Sequence, residues 1–302
     1  MGYFDQAARF AAQADPGTML RRLLPAGEPL RFREWLDTRV LPLPGGADRT
    51  ADHVVAMDGP DDPSSPWLIV LEYQSEPDED KIDVTLEEVA LLRSRVRHGV
   101  ERKGKYFVTA GIVNLTGHRD EIFDMTFSDG RGTRHAPLVW NVASDDAAEM
   151  LEAIASGATS WGMLFWVPLM ARAEEEGIIA RWKELTTAVV PDRRMRDNLS
   201  GIALVFAELA GRFLAWERGL EGWEMSDSMV VDRWIARAEA KMELKERRSF
   251  ILRMLRHRFG DAIPGDVQET IDTQPSLEML DEWFDAAITV GSLQDFIAVL
   301  RR

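Results

Sequence analysis

Two strand-like segments separated by a proline-rich turn constrain the fold of this 302-residue chain most strongly. The segments are residues 52–57 and 67–74, and between them residues 58–66 contain three prolines and a glycine. Proline withholds a backbone donor and glycine favours a turn, so neither strand continues through the segment. We therefore predict an antiparallel β-hairpin, in which a turn centred within 58–66 sets Asp52 opposite Glu72.

Alternation along residues 67–74 indicates where the second strand lies in its sheet. The even-numbered positions, which end in Glu72 and Gln74, share one face, and the odd-numbered positions share the other. Both faces are largely apolar, which is typical of a central strand covered on both sides. We expect Glu72 and Gln74 to lie where the strand emerges into a cleft. His53 alternates to the face opposite Asp52, which predicts a packed or partly exposed position rather than a catalytic role.

Two opposed carboxylates of this kind predict a metal site. Directly opposed residues hold their Cβ atoms about 4.5 to 5.5 Å apart, so Asp52 and Glu72 can share one cation. Hard oxygen ligands in an incomplete shell suit Mg²⁺ or Mn²⁺, which keep waters and a substrate phosphate in their remaining positions. The pattern favours phosphodiester hydrolysis, and the alternative is a pair of ordinary solvated residues at strand ends.

The order of motifs around the hairpin resembles that of the Rpn-type recombination-promoting nucleases, a transposase-like group within the PD-(D/E)XK superfamily. The segments that carry this resemblance are, in chain order, Asp52, Glu72-Tyr73-Gln74-Ser75, Pro77-Asp78, Ala90-Leu91-Leu92, and the strand-like residues 105–113 and 137–140. Residues 165–170 are similar to the segment that follows the nuclease core in such proteins. Residues 252–260 and 277–283 look like the small helical tail often attached to them.

The resemblance implies an α/β fold, with a restriction-endonuclease-like mixed sheet flanked by helices and an all-helical C-terminal region. It implies three parts: residues 1–160 as the nuclease core, 161–225 as a helical extension packed on the core, and 226–302 as a helical tail domain. The implied activity is that of a Mg²⁺- or Mn²⁺-dependent DNA endonuclease linked to DNA recombination.

The resemblance also implies roles for individual residues. Asp52 and Glu72 would ligate the metal, which polarises the scissile phosphate and lowers the pKa of a bound water. Gln74 stands where the family usually has a lysine, and its amide forms hydrogen bonds without bringing a charge. Glu34, in a predicted helix at residues 31–40, is the nearest candidate for the acid that the superfamily often adds from its first helix. The alternative for Glu34 is a solvated helix residue.

The helix after the motif departs from the family. Val84 and Glu88 occupy positions where many relatives carry Arg and Tyr, which removes a phosphate contact and adds repulsion toward DNA. A catalytically degenerate fold that acts as a protein-interaction or self-association module is therefore the alternative function. Lys81 is a candidate replacement cation, although its acidic flank at residues 78–80 indicates a surface residue.

Charge limits the range of partners. The net charge of −15 and the sequence pI near 4.9 weaken binding to DNA, because phosphate contacts require Lys and Arg. Residues 233–258, however, hold nine Lys or Arg against three Glu. This helix can meet a phosphate backbone, or it is a solvated helix with paired charges. A phosphoesterase acting on a small molecule fits the net charge better than a DNA endonuclease does, but no sequence motif supports it.

The chain has no cysteine, which excludes disulfides and thiolate zinc sites and fits a cytoplasmic location. Its first residues lack the pattern of a signal peptide, and the most apolar stretch, residues 162–170, is far shorter than the roughly 20 residues that cross a bilayer. We expect a cytoplasmic protein without membrane contact that forms homo-oligomers, if any, through its helical tail.

Hydrophobic periodicity predicts the remaining elements. Strands are expected at residues 105–114 and 136–142, with a polar, glycine-containing connection between them. Helices are expected at residues 5–14, 18–24, 82–98, 146–155, 168–187, 191–220, 226–259, 264–272, 276–288 and 291–301. The tryptophans of the helical half are expected to pack in the core rather than to stack on bases.

Overall fold

A computed structural model describes most of the chain. The described residues are 3–36, 52–59, 66–98, 106–120, 122–223, 244, 247–260 and 263–300. The chain divides into two compact units, Met1–Val230 and Val231–Arg302, called here the N-terminal and C-terminal units. Each unit is described by itself.

A five-stranded mixed sheet forms the centre of the N-terminal unit. The strands of this unit are β1 (Arg31–Leu36), β2 (His53–Asp58), β3 (Trp67–Gln74), β4 (Phe107–Asn114), β5 (Phe123–Thr126), β6 (Gly132–His135) and β7 (Leu138–Asn141). The sheet order is β1-β2-β3-β4-β7, and β5 pairs with β6 in a separate hairpin. Strands β1, β2 and β3 are antiparallel, whereas β4 runs parallel to β3 and β7 parallel to β4. The predicted α/β class with a mixed sheet is confirmed.

The predicted hairpin is present, with the predicted register. His53 pairs with Leu71 and Met57 pairs with Trp67 in the antiparallel ladder of β2 and β3. Asp52 immediately precedes the first of these pairs, so the same register places it opposite Glu72. Strand β3 lies in the middle of the sheet and is buried along nearly all of its length. The turn residues 60–65 lie outside the described residues.

Helices cover both faces of this sheet. In the N-terminal unit they are α1 (Tyr3–Ala14), α2 (Pro16–Leu23), α3 (Lys81–His98), α4 (Ala147–Ala155), α5 (Glu176–Val189), α6 (Arg193–Leu209) and α7 (Phe213–Gly219). Helix α3 packs on β3 and β4, where Leu92 joins a buried cluster with Val70 of β3. Helix α2 approaches the other face so closely that a Cβ atom added at Gly111 would lie 2.5 Å from Leu23 Cδ2. The central strand is therefore covered on both sides, as predicted.

Four predicted elements of the N-terminal unit differ from the structure. The helix predicted at residues 168–187 begins eight residues later, since α5 spans Glu176–Val189. Residues 31–36 form the edge strand β1 instead of a helix, because pairing with β2 outweighs the local helical pattern; residues 37–40 of that prediction lie outside the described residues. The β5–β6 hairpin occupies the region predicted as a polar, glycine-containing connection, in which no strand was expected. The helix predicted from 191 to 220 is two helices, since Gly211 adopts a left-handed φ of 72° that ends α6.

Three tryptophans of the helical region pack in the core, as predicted, whereas Trp161 and Trp223 are half-buried and Trp234 lies outside the described residues. Trp166, Trp182 and Trp216 are at most 1% exposed. Trp182 donates its indole N–H to the Leu164 carbonyl oxygen, 2.9 Å away. These rings are therefore not available for stacking on bases.

The C-terminal unit is helical over its described residues. It contains α8 (described over residues 247–259), α9 (Gly265–Thr273), α10 (Leu277–Thr289) and α11 (Leu293–Leu300). Their apolar faces meet in a small core that includes Leu255, Leu280, Trp283 and Phe296. Of the helix predicted at residues 226–259, residues 226–243, 245 and 246 lie outside the described residues. No described helix in either unit is long and apolar enough to cross a membrane.

Candidate acidic site at the end of the central strand

Asp52 is held by two donors from different parts of the N-terminal unit. Arg9 Nη2, on helix α1, lies 2.5 Å from Asp52 Oδ1, and the Tyr73 backbone N–H donates to Asp52 Oδ2 at 2.9 Å. The two charged side chains are only 18% and 14% exposed. The Asp52 carboxylate is thus fixed against the end of β3 and neutralised by a guanidinium.

Glu72 lies beside Asp52 and has its own cation. Its Oε1 accepts a hydrogen bond of 2.9 Å from the Asp52 backbone N–H, and its Oε2 lies 2.9 Å from Lys81 Nζ. Lys81 is the first residue of α3, and its side chain is 19% exposed. The prediction that Lys81 is a surface residue is wrong, because the Glu72 carboxylate draws the ammonium group inward.

Glu88 brings a third acid to the same place. It lies about two turns after Lys81 on α3, so the two side chains share one face of the helix. Glu88 is 6% exposed, and its buried Oε2 has no hydrogen-bond partner. Burial, the nearby Glu72 charge and a side-chain hydrogen bond with Glu72 raise the pKa of Glu88 to about 8. Glu88 is therefore largely protonated at neutral pH.

The pKa values of Glu72 and Lys81 are also raised by their surroundings. Burial and then the Asp52 charge raise the pKa of Glu72, and Lys81 opposes that rise. Burial alone would lower the pKa of Lys81, but its contact with the Glu72 carboxylate outweighs burial and raises it. Asp52, Glu72, Glu88, Arg9 and Lys81, called here the acidic cluster, therefore form one electrostatic unit.

Gln74 belongs to a row of three amides across the carboxyl ends of β3, β4 and β7. Its Nε2 donates to Asn114 Oδ1, and Asn114 Nδ2 donates in turn to Asn141 Oδ1 at 2.6 Å. Gln74 Oε1 accepts from the Asp78 backbone N–H at 3.0 Å. We call Gln74, Asn114 and Asn141 the amide row. The amide of Gln74 is thus held at both ends, and it anchors the loop that leads to Lys81.

His53 lies on the other face of the hairpin, as alternation predicted. One ring nitrogen contacts the Tyr73 hydroxyl and the other contacts Gln13 Nε2, each at 3.1 Å. Burial, followed by the Arg9 charge, lowers the pKa of His53 to about 4. The ring is neutral at physiological pH, and it is packed, which is one of the two positions predicted from the sequence.

Glu34 is not brought to the acidic cluster. It lies on the edge strand β1 opposite Ala56, and its side chain is 57% exposed beside Arg33. Ala56 is four residues from Asp52, a distance of about 13 Å along a strand. The placement of Glu34 on a helix is wrong, and its predicted role as the added acid finds no contact that supports it.

The sequence did not predict the contacts that the site residues make with residues far away along the chain. Arg9 precedes Asp52 by 43 residues, and Asn114 follows Gln74 by 40. The available signal was positional. Asn114 ends the strand predicted at residues 105–114, and Asn141 lies one residue before the end of the strand predicted at residues 136–142. The carboxyl ends of parallel strands meet at one edge of a sheet.

No group of three His, Asp or Glu side chains is arranged to hold a metal ion within the part of the chain that the structure describes. No family model, curated protein or solved structure matches the chain. The assignment of function therefore depends on the geometry of the acidic cluster and on the motif resemblance.

Proposed function

We propose that the chain is a divalent-metal-dependent DNA endonuclease of the Rpn-like, restriction-endonuclease-like type, which hydrolyses phosphodiester bonds at the acidic cluster. One observation supports this most directly: the 2.9 Å hydrogen bond from the Asp52 N–H to Glu72 Oε1 joins two acids from separate strands at the end of the central strand. Glu72 is a buried carboxylate with a raised pKa at a strand end, and such groups are typical of functional sites.

The donor set suits a hard divalent cation in chemistry and charge. Asp52 and Glu72 offer carboxylate oxygens, and the Asp52 charge that raises the pKa of Glu72 is a repulsion that a cation would relieve. Mg²⁺ is commonly bound through one or two carboxylates, with waters and substrate phosphate as further ligands, so two protein ligands suffice. When bound there, the ion would polarise the scissile phosphate and lower the pKa of a coordinated water.

The protein's own side chains supply positioning. Arg9 fixes Asp52, and Lys81 fixes Glu72, so both carboxylates are preorganised at the end of β3. Gln74 does not replace the charge of the missing motif lysine, because its amide is held within the amide row. Lys81 is the described cation nearest to Glu72, and we assign it the electrostatic role that Gln74 leaves open.

Cleavage of supercoiled plasmid in Mg²⁺ or Mn²⁺ tests this proposal. We expect nicking by the wild type and its loss in Asp52→Asn and Glu72→Gln, which keep the shape of each side chain. Glu87→Gln is the matched control, because Glu87 is exposed and adjacent to Glu88 on α3. Calorimetric titration with Mn²⁺ gives a second reading, in which the two site variants bind more weakly than the control.

A second candidate function is supported by the charge balance of the cluster. Arg9 and Lys81 already neutralise Asp52 and Glu72, and the chain carries a net charge of −15. Under this alternative the nuclease fold is catalytically degenerate and serves as a protein-interaction module, or self-associates through the helical tail. The lack of cysteine fits a cytoplasmic setting for either function.

The two functions differ in measurable ways. Folded wild type that neither cleaves plasmid nor binds Mn²⁺ would contradict the nuclease proposal. Light scattering coupled to size exclusion would then show oligomers that disappear when Val231–Arg302 is removed, if self-association through the tail is the function. Cleavage that survives both site substitutions would place the chemistry elsewhere.

A further inference from the structure

Three arginines line a cleft in the C-terminal unit. It lies between α8 and α9 and has a volume of about 360 Å³. Arg248, Arg253 and Arg256 line the α8 side, and Gln268 and Asp272 line the α9 side. Three guanidinium groups therefore share one concave surface with a single carboxylate.

Each of these guanidinium groups is held in place by a neutral partner. Arg248 donates from Nε and Nη2 to the Gln274 carbonyl oxygen, at 3.2 and 2.6 Å. The Arg253 guanidinium lies 4.4 Å from the centre of the Phe250 ring. Arg256 Nη2 contacts Gln268 Oε1 at 3.4 Å. These contacts orient the side chains, and none of the three guanidinium groups forms an ion pair with another described residue.

Other arginines of the same helix are committed to the fold. Arg247 forms an ion pair of 2.7 Å with Asp281, and Arg258 donates to the Ala287 and Val290 carbonyl oxygens at the end of α10. Residues 247–260 contain five arginines and no acid. Asp272, on the cleft wall, forms no ion pair within the described residues. Four of the five arginines in the described part of α8 have no ion-pair partner among the described residues, and three of these four line the cleft.

We propose that this arginine cleft binds the phosphate backbone of double-stranded DNA. Arg248 and Arg256 are eight residues apart, so the three arginines extend over about 12 Å of helix axis. Phosphates follow one another at about 3.4 Å per strand along the duplex axis, and a row of guanidinium groups over that length contacts several of them. Arginine also binds phosphate oxygens through two parallel donors.

The cleft offers a DNA-binding site in a chain whose net negative charge otherwise weakens binding to DNA. The choice of DNA as the ligand of the cleft rests on the proposed function. Residues 231–302 hold 11 Lys or Arg and 13 Asp or Glu, so most of the net charge of −15 belongs to the N-terminal unit. A site in the nearly neutral unit allows the chain to hold DNA despite its overall acidity. Binding and cleavage are then separate properties of the two units.

The test measures binding of a fluorescent duplex to the full-length chain by anisotropy, in EDTA so that no cleavage occurs. We expect the double variant Arg253→Ala/Arg256→Ala to weaken binding about 10-fold or more. We also expect the slope of log affinity against log salt to fall by about 2, since each phosphate contact contributes about 0.9. Both arginines are exposed, so the variant should fold, which circular dichroism checks.

Arg131→Ala/Arg134→Ala is the charge-matched control, because these arginines are exposed on the β5–β6 hairpin of the other unit. The control should bind as the wild type does. Equal weakening in both double variants, unchanged binding in the cleft variant, or no duplex binding by the wild type would each overturn the proposal. Binding to RNA without binding to DNA would overturn the choice of ligand. Wild type that binds the duplex but never cleaves plasmid would contradict only the nuclease proposal.

Discussion

Lys81 Nζ lies 2.9 Å from Glu72 Oε2, and the two side chains are 19% and 8% exposed. This pair connects α3 to the central strand β3. Lys81 supplies the positive charge that the neutral amide of Gln74 lacks. Removing one member of a buried ion pair leaves the other charge uncompensated in a poorly solvated place. Stability and site geometry should therefore depend on the same contact.

Lys81→Met should destabilise the N-terminal unit by roughly 3 kcal/mol at pH 7, the lower end of the loss expected for a broken buried pair. The reason is that Glu72 would remain buried beside Asp52 and Glu88 without its cation. Urea denaturation followed by circular dichroism measures the change. Adding Glu72→Gln to Lys81→Met should recover most of the loss, because no charge is then left unpaired. A double variant as unstable as the sum of the singles would contradict this account.

Glu88→Gln should stabilise the protein at pH 8 by about 1–3 kcal/mol, the range associated with relieving a poorly satisfied buried group. The folded-state pKa of Glu88 is about 8, above its ordinary value of 4.5. Between these values the folded state retains a proton that the unfolded state has released, so this group makes the wild type less stable as pH rises.

In Glu88→Gln, the fall in the free energy of unfolding between about pH 5 and pH 8 should disappear. Free energies of unfolding at several pH values measure it, with Glu87→Gln as the control that keeps the wild-type slope. Parallel curves for wild type and Glu88→Gln would show that Glu88 is charged and satisfied in the folded protein.

The hairpin could be predicted from sequence because its determinants are local. Prolines stop both strands, and the alternation on either side of the turn fixes the register that pairs His53 with Leu71. The position of Asp52 opposite Glu72 follows from that register. Residues 31–36 were misassigned because their edge-strand conformation depends on pairing with β2, which a local pattern does not contain.

The charge partners of the site could not be predicted in the same way. Arg9 reaches Asp52 only because α1 packs on the sheet, and nothing near either residue indicates the contact. The acidic flank of Lys81 suggested solvent exposure, whereas the direction of α3 carries the side chain to Glu72. Patterns along the chain located the carboxylates, and tertiary packing selected the cations that neutralise them.

The lowered pKa of His53 predicts that the protein is less stable at acid pH. Its folded-state pKa is about 4, below its ordinary value of 6.5, so in this window the unfolded state binds a proton that the folded state excludes. The contribution of His53 to the free energy of unfolding is fully present above about pH 6.5. It is lost as pH falls toward 4, by up to about 1.4 kcal/mol per pH unit. Thermal or urea unfolding between pH 4 and 7 should show a flatter curve for His53→Gln. His118→Gln, at an exposed histidine, should follow the wild type.

Asn114 is the central member of the amide row and is 1% exposed. Asn114→Ala removes the acceptor of Gln74 Nε2 and the donor to both Asn141 Oδ1 and the Arg119 carbonyl oxygen. Because a buried group left unsatisfied costs about 1–3 kcal/mol, we expect a loss of roughly 3 kcal/mol in urea denaturation. Plasmid cleavage should also fall, since Gln74 would no longer fix the loop before Lys81, while Mn²⁺ affinity should change little because Asp52 and Glu72 keep their contacts.

A double-variant cycle of Asn114→Ala with Gln74→Ala tests whether the loss of stability comes from the amide row or from a general packing defect. If the amides act together, the double variant should lose less stability than the two single losses combined, with a coupling of about 0.5–3 kcal/mol. Additive losses would mean that Asn114 and Gln74 contribute independently and that the row does not position Gln74. A parallel loss of Mn²⁺ affinity in Asn114→Ala would show instead that the carboxylates themselves move when the strand end is disturbed.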